Sequence, residues 1–258
     1  MDFNAIYVLW LREMKRFTRA RSRIIGMLIM PVFFLVGLGL GLGSLINTFA
    51  LGGSSYLQFL VPGIIGMSLM SVAVSSGFSV IWDKQFGFLK EIMVTPNSKV
   101  SIVIGRMAGG STTAMLSALI VILISLLIGF QPNFTLFSLV ALVFMLLIAM
   151  TFISLGLILA SIISDLQGFG LITNFFTMPL LFLSNSLFPL SSLPQIVSDI
   201  SYFNPLTYGI DGIRKALLGP SAGITQISIW MDLAVMLVIV AAMIGAAAYA
   251  FSKSEVGQ

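Results

Sequence analysis

The sequence predicts an all-α integral membrane protein: six transmembrane helices, an N-terminal interfacial helix, and short external re-entrant helices between spans five and six. Three observations carry this. Of 258 residues, 58% are hydrophobic and only 9% are charged, against roughly 25% charged in soluble domains, and a water-soluble fold of this length cannot hide so much apolar surface. The apolar residues are also segregated: 24 to 82 and 107 to 164 contain no charged residue. Each stretch suits two spans of about 20 residues plus a loop, and the runs 166 to 198 and 233 to 252 supply one span each. Finally, the basic residues gather between the spans on one predicted side.

The first element, residues 1 to 23, is too charged to cross a bilayer, and its residues 4 to 20 read as a helix. Phe3, Tyr7, Trp10, Met14 and Phe17 recur at steps of four and three, as do Arg12, Arg16, Arg19 and Arg23 on another face. An aromatic stripe beside an arginine stripe suits a helix lying at the headgroup boundary of anionic lipid. Residues 24 to 251 form the membrane domain, with spans expected at about 24–46, 59–81, 104–129, 136–162, 169–188 and 229–251. The first span's apolar core is longer than a secretory h-region, so an uncleaved N-terminus is expected. Residues 252 to 258 form a tail.

With the N-terminus inside, the segments 1–23, 82–106, 163–168 and the tail are cytoplasmic and hold 11 of the 13 basic residues. The two others, Arg214 and Lys215, fall in the outer segment with Asp199, Asp211 and Asp232. Two connections are long enough to act. In the cytoplasmic loop, Gly87, Phe88, Leu89, Lys90, Glu91, Ile92, Met93 and Val94, followed by Thr95 and Pro96, read as a short amphipathic helix stopped by proline, with Phe88, Ile92 and Met93 suited to face a partner or the membrane. In the outer segment, Pro179 is expected to kink span five, Ser184, Asn185 and Ser186 lie near its end, and Pro189 and Pro194 punctuate the chain beyond it. Leu193 to Tyr202 and Leu206 to Leu218 read as two short helices separated by Asn204 and Pro205. Half-apolar backbone of this kind is tolerated at membrane depth when protein or a water-filled cavity covers it, hence the re-entrant reading.

The residue types exclude several chemistries. There is no Cys and no His, which removes disulfides, imidazole bases and the usual zinc or haem ligand sets. The net charge of +4 fits cytoplasmic loops and anionic lipid rather than nucleic acid. No Gly-x-x-x-x-Gly-Lys-Ser/Thr loop is present, the nearest glycine cluster at Gly105 to Ser111 lacking its lysine. The span interiors are expected to hold no ionisable group, which argues against an ion-coupled carrier. Gly37 with Gly41, Gly39 with Gly43, and Gly105 with Gly109 have the spacing that lets helices approach, either within the chain or between subunits. Asp211 and Arg214, three apart, are expected to pair on an exposed helix with little energetic consequence. Phe175, Phe176 and Met178 on span five, with Met67 and Met70 on span two, are candidate lining for an apolar translocation path.

The stretch Leu187, Phe188, Pro189, Leu190, Ser191, Ser192, Leu193, Pro194, then Asn204, Pro205, Leu206, Thr207, Tyr208, Asp211 and Arg214, resembles the signature after span five in the type-2 permease family of ABC exporters. That family includes drug-resistance, polysaccharide and nodulation-factor export subunits. Trp82, Gly87, Leu89, Glu91, Thr95 and Pro96 resemble its cytoplasmic loop; Asp83, Lys84 and Asn185 depart from the usual pattern. The resemblance covers nearly the whole chain. It implies a half-transporter in the cytoplasmic membrane of a prokaryote, both termini inside, paired with a second permease copy or homologue and with two separate ATPase subunits. It also implies that the loop at 84 to 96 seats on the ATPase, which would hold the ATP and magnesium, with no cofactor in this chain. The expected function is export of a hydrophobic drug-like or lipid-like molecule; polysaccharide or lipid-linked glycan export is the alternative, and a non-transporting membrane scaffold the reading outside the class.

Overall fold

A computed structural model of the protein describes residues 3–42, 55–85, 99–189, 194–223 and 227–254, and within these every regular element is helical, with no strand. Helix α1 spans Phe3–Arg19, and α2, Arg21–Phe34, runs on as a π-helical stretch, Leu35–Leu42. Pro31 lies inside α2, and Gly37, Gly39 and Gly41 populate the wider turns after it, where a removed backbone donor and weak helix formers favour departure from α geometry. Helix α3, Tyr56–Ser75, starts on Ser55, whose hydroxyl accepts from the Gln58 backbone N–H, and α4, Gly77–Gln85, continues it after Ser76.

Helix α5 covers Lys99–Ile128 and α6 covers Leu139–Ile162, entered through a short 3₁₀ turn at Leu136–Ser138. Helix α7, Leu166–Phe182, is capped by the Asp165 carboxylate, which accepts from the Gly168 N–H. Two short helices, α8 (Gln195–Ser201) and α9 (Pro205–Leu218), precede the last helix, α10 (Ile229–Ser254). Among the described residues, five stretches are long and apolar enough to cross a membrane: Ile24–Gly41, Tyr56–Asp83, Ser101–Ile128, Leu136–Ile162 and Ile229–Ala250. The fifth span expected at 169–188 is shorter than its sequence suggested, because α7 stops at Phe182. Ser184 and Ser186 donate their hydroxyls to the Leu181 carbonyl, so side chains take the place of the next helical turn.

Helices α3 and α6 form the centre. Helix α3 is apolar all round and packs against α2, α5, α6 and α9, while α6 also receives α4, α9 and α10. Its core includes Leu60, Ile64, Leu69, Phe144, Met145, Ile148 and Phe152, all almost fully enclosed. By contrast α2 and α10 bury little of their spans within the chain, and α7 turns Leu171, Phe175 and Met178 outward. A helix that is apolar on an open face is covered by lipid or protein rather than by water.

Candidate functional site

The segment 86–98, which includes Gly87, Phe88, Leu89, Lys90, Glu91, Thr95 and Pro96, lies outside the described residues; its two roots are described. Asp83 stands near the end of α4, just before the segment, and Arg106 stands two turns into α5, just after it. Arg106 Nη2 donates to Asp83 Oδ2 at 2.7 Å, and Arg12 Nη2 of α1 donates to the same oxygen at 2.7 Å. Glu13 is next in line, with Oε1 at 3.7 Å from Arg12. Two arginines and two carboxylates thus cancel in charge at the base of the loop. Asp83 and Arg106 are buried, where a charge is kept only in a paired arrangement.

Helix α1 is seated in this cluster by small residues. A Cβ on Gly105 would press on Leu9 and Ile6, and one on Gly109 would press on Glu13 at 2.8 Å. The glycine pair of α5 is therefore an intramolecular seat for α1. Trp10 Nε1 donates to Thr112 Oγ1 at 3.1 Å and fixes the contact. Of the residues proposed for an interfacial helix, Phe17 is buried, Trp10 and Arg16 are half-buried, and Arg19 is exposed. The expected aromatic face is divided: Phe3 and Tyr7 are open, whereas Leu9 and Phe17 are covered. Arg12 points into the cluster instead of standing free at a headgroup surface, because Asp83 offers it a partner.

The segment between α7 and α10 holds a second charged knot. Asn204 caps α9 by accepting from the Leu206 N–H, and its amide donates to the Leu180 carbonyl of α7 at 2.6 Å. Pro205 occupies the first turn of α9. Tyr208 donates its hydroxyl to the Tyr202 carbonyl at 2.7 Å, tying α9 to α8. The expectation of an exposed Asp211–Arg214 pair is overturned: Asp211 is 0% and Arg214 1% exposed. Asp211 pairs with Lys215 at 2.6 Å and stands 3.8 Å from Arg214. Lys215 Nζ also donates to Asp232 Oδ2 of α10 at 2.7 Å and to the Ile227 carbonyl.

Arg214 donates from Nη2 to the Phe59 and Asn185 carbonyls at 3.1 and 2.9 Å, and stacks 4.4 Å above the Phe59 ring. Close packing explains the burial: a Cβ on Gly212 would overlap the Phe144 ring, so α9 lies directly on α6. The ionisable groups near the span ends are enclosed in the same way. Asp83, Arg106 and Asp232 all fall within candidate spans and are buried, and each is matched to an opposite charge.

The other candidates scatter. Phe188 is exposed, Pro189 half-buried and Pro194 exposed at the foot of α8, away from the knot. Phe175, Phe176 and Met178 face outward on α7, while Met70 is in the core and Met67 is in the wall of a groove beside α2. Sequence reasoning missed the Arg12–Asp83–Arg106 cluster and the Lys215–Asp232 bridge. A signal for the first was present, since Asp83 and Arg106 each end a charge-free stretch; nothing in the spacing announced the second.

Residues 4–218 match the ABC-2 type transporter family. Nodulation protein J of Rhizobium leguminosarum bv. viciae is 31% identical over 202 residues, which is 78% of this chain and 76% of that protein. The inner membrane transport permease YadH of Escherichia coli K12 is 29% identical over 219 residues, 83% of each chain. A putative transport permease, ycf38, of Cyanophora paradoxa is 31% identical over 163 residues, 62% of this chain and 56% of that one. With only helices as regular elements among the described residues, five stretches of them of membrane length, and a match from the first helix to the end of α9, the chain belongs to the ABC-2 type transporter family of membrane transport permeases.

Proposed function

We propose that this chain is the permease subunit of an ATP-driven exporter, moving a hydrophobic drug-like or lipid-like molecule out of the cytoplasm. A separate ATPase, present as two subunits with its own ATP and magnesium, supplies the energy to a pair of permeases. The observation that carries the reading is the ion cluster at the roots of the 86–98 segment. Force applied to that segment reaches α4 and α5 at Asp83 and Arg106, and Arg12 couples the same point to α1. An ATPase that moves the loop would then shift three helices together, because a paired buried charge cannot be left behind cheaply.

The chain contributes a route and a handle, and covalent catalysis is not among its tasks. The lipid-like substrate class is supported by the open, largely apolar faces of α2, α7 and α10. The test is purification from membranes together with the ATPase encoded beside it, followed by reconstitution. Expected results are co-purification, ATPase stimulation by hydrophobic substrates, and loss of that stimulation on reversing Glu91→Lys. No associated ATPase would sink the exporter reading, and stimulation by glycans alone would replace the substrate class.

A further inference from the structure

Between α2 and α3 lies a groove of about 420 Å³ lined by Gly26, Met27, Met30 and Pro31 on one side and Met67, Ser68, Ser71, Val72 and Ser75 on the other. Its volume falls within the roughly 300–1,000 Å³ of small-molecule pockets. The walls differ in chemistry: α2 contributes flexible thioethers and α3 a file of hydroxyls at helical spacing. Met27 and Val72 also belong to a second, much smaller chamber of about 20 Å³, walled further by Glu13, Phe17, Ser76, Ser79, Gly110 and Thr113. Two polar atoms of that wall, Glu13 Oε1 and Ser76 Oγ, are buried without a hydrogen-bond partner. The apolar groove therefore abuts a polar chamber holding one acceptor and one hydroxyl in need of partners.

We propose that groove and chamber together bind a neutral amphiphile, with its hydroxyl head at Glu13 and Ser76 and its chain along the methionines. The chamber admits a group the size of one water molecule, which a hydroxyl is. The charge balance selects neutrality. Arg12, Glu13, Asp83 and Arg106 already cancel, so an ammonium would add an uncompensated charge at low dielectric and an anionic head would face the Glu13 carboxylate. A hydroxyl donates to Glu13 Oε1 and accepts from Ser76, satisfying both. Ile25, Ile29 and Phe33, each next in sequence to or near a groove-lining residue of α2, are exposed and apolar, which suits entry of the chain sideways from the bilayer. As the identity of a transported molecule this rests on the exporter reading; as a binding site it does not.

The test uses the full chain in phosphatidylcholine nanodiscs, and the absence of cysteine makes each introduced thiol unique. Ser71→Cys in the groove is labelled with a membrane-permeant maleimide, with Leu123→Cys on the outer face of α5 as control. The two added hydrogen bonds should make 1-dodecanol slow Ser71→Cys labelling at least about five- to tenfold more than dodecane or dodecylammonium does, with no effect at Leu123→Cys. Adding Glu13→Leu should reduce dodecanol to the level of dodecane; if that variant does not fold, Ser76→Ala serves, with a smaller loss expected. Equal protection by all three probes, or equal slowing at both positions, overturns the proposal. So does cross-linking of Ser71→Cys between copies with no effect of dodecanol, which would make this face a contact between permeases. Failed ATP-driven transport with intact protection would strike the exporter reading alone; transport without protection would strike the groove alone.

Discussion

Asp83 accepts from two guanidinium groups through a single oxygen, so it is the hub of the cluster at the roots of the 86–98 segment. Asp83→Ala leaves Arg106 buried without its carboxylate and should cost about 3–5 kcal/mol; the drop in thermal midpoint in detergent measures it. Asp83→Leu with Arg106→Met removes both charges and should recover most of that loss, since the cost lies in the stranded charge rather than in the pair. On α9, Lys215 bridges two carboxylates from different helices. Lys215→Met should therefore be as damaging and should loosen α10 from α9, whereas Arg214→Ala, whose contacts run to Phe59 and Asn185, should leave the α9–α10 contact in place. These residues were visible as charges, yet their roles were not legible. Asp211 and Arg214 at three-residue spacing look the same on an exposed helix as on one pressed into a core, and only the glycines of α9 hinted at close packing.

Among the elements, α1 shows most clearly how a sequence pattern and a fold divide the work. Its helix and its two-faced character follow from residue spacing, but the face that binds is Ile6, Leu9, Trp10, Glu13 and Phe17, because α5 presents Gly105 and Gly109 to it. The Leu9 Cβ lies 3.0 Å from where a Gly105 Cβ would stand, close to the roughly 3.5–4.5 Å of a disulfide. Leu9→Cys with Gly105→Cys should cross-link on mild oxidation, and adding Gly109→Leu should abolish the cross-link by lifting α1. Failure of the first pair to oxidise would refute the seating of α1. Helix α7 teaches the converse. Its apolar run continues past Phe182, and hydropathy therefore extends the span, whereas the serine hydroxyls that close on Leu181 end the helix.

For the whole molecule, the distribution of basic residues sets a direction that labelling can check. Thr135→Cys, between α5 and α6, should react with an impermeant maleimide added outside intact cells, and Lys253→Cys should react only after the membrane is opened. The reverse pattern would invert the topology and place the 86–98 segment beyond reach of a cytoplasmic ATPase. The sequence alone was sufficient for the membrane class, the helical elements, the transporter-family resemblance and the lack of an ATP-binding loop, because each depends on local composition, period or motif. The order of packing, the shortened α7, the burial of Asp211, Arg214 and Lys215, and the joining of Arg12 to Asp83 and Arg106 were decided by tertiary structure. Charges 71 and 23 positions apart meet at 2.7 Å in that cluster, and no local rule reaches across such a separation. Desolvation supplies the physical reason: a buried charge must find an opposite one, and which one it finds depends on how the helices stack.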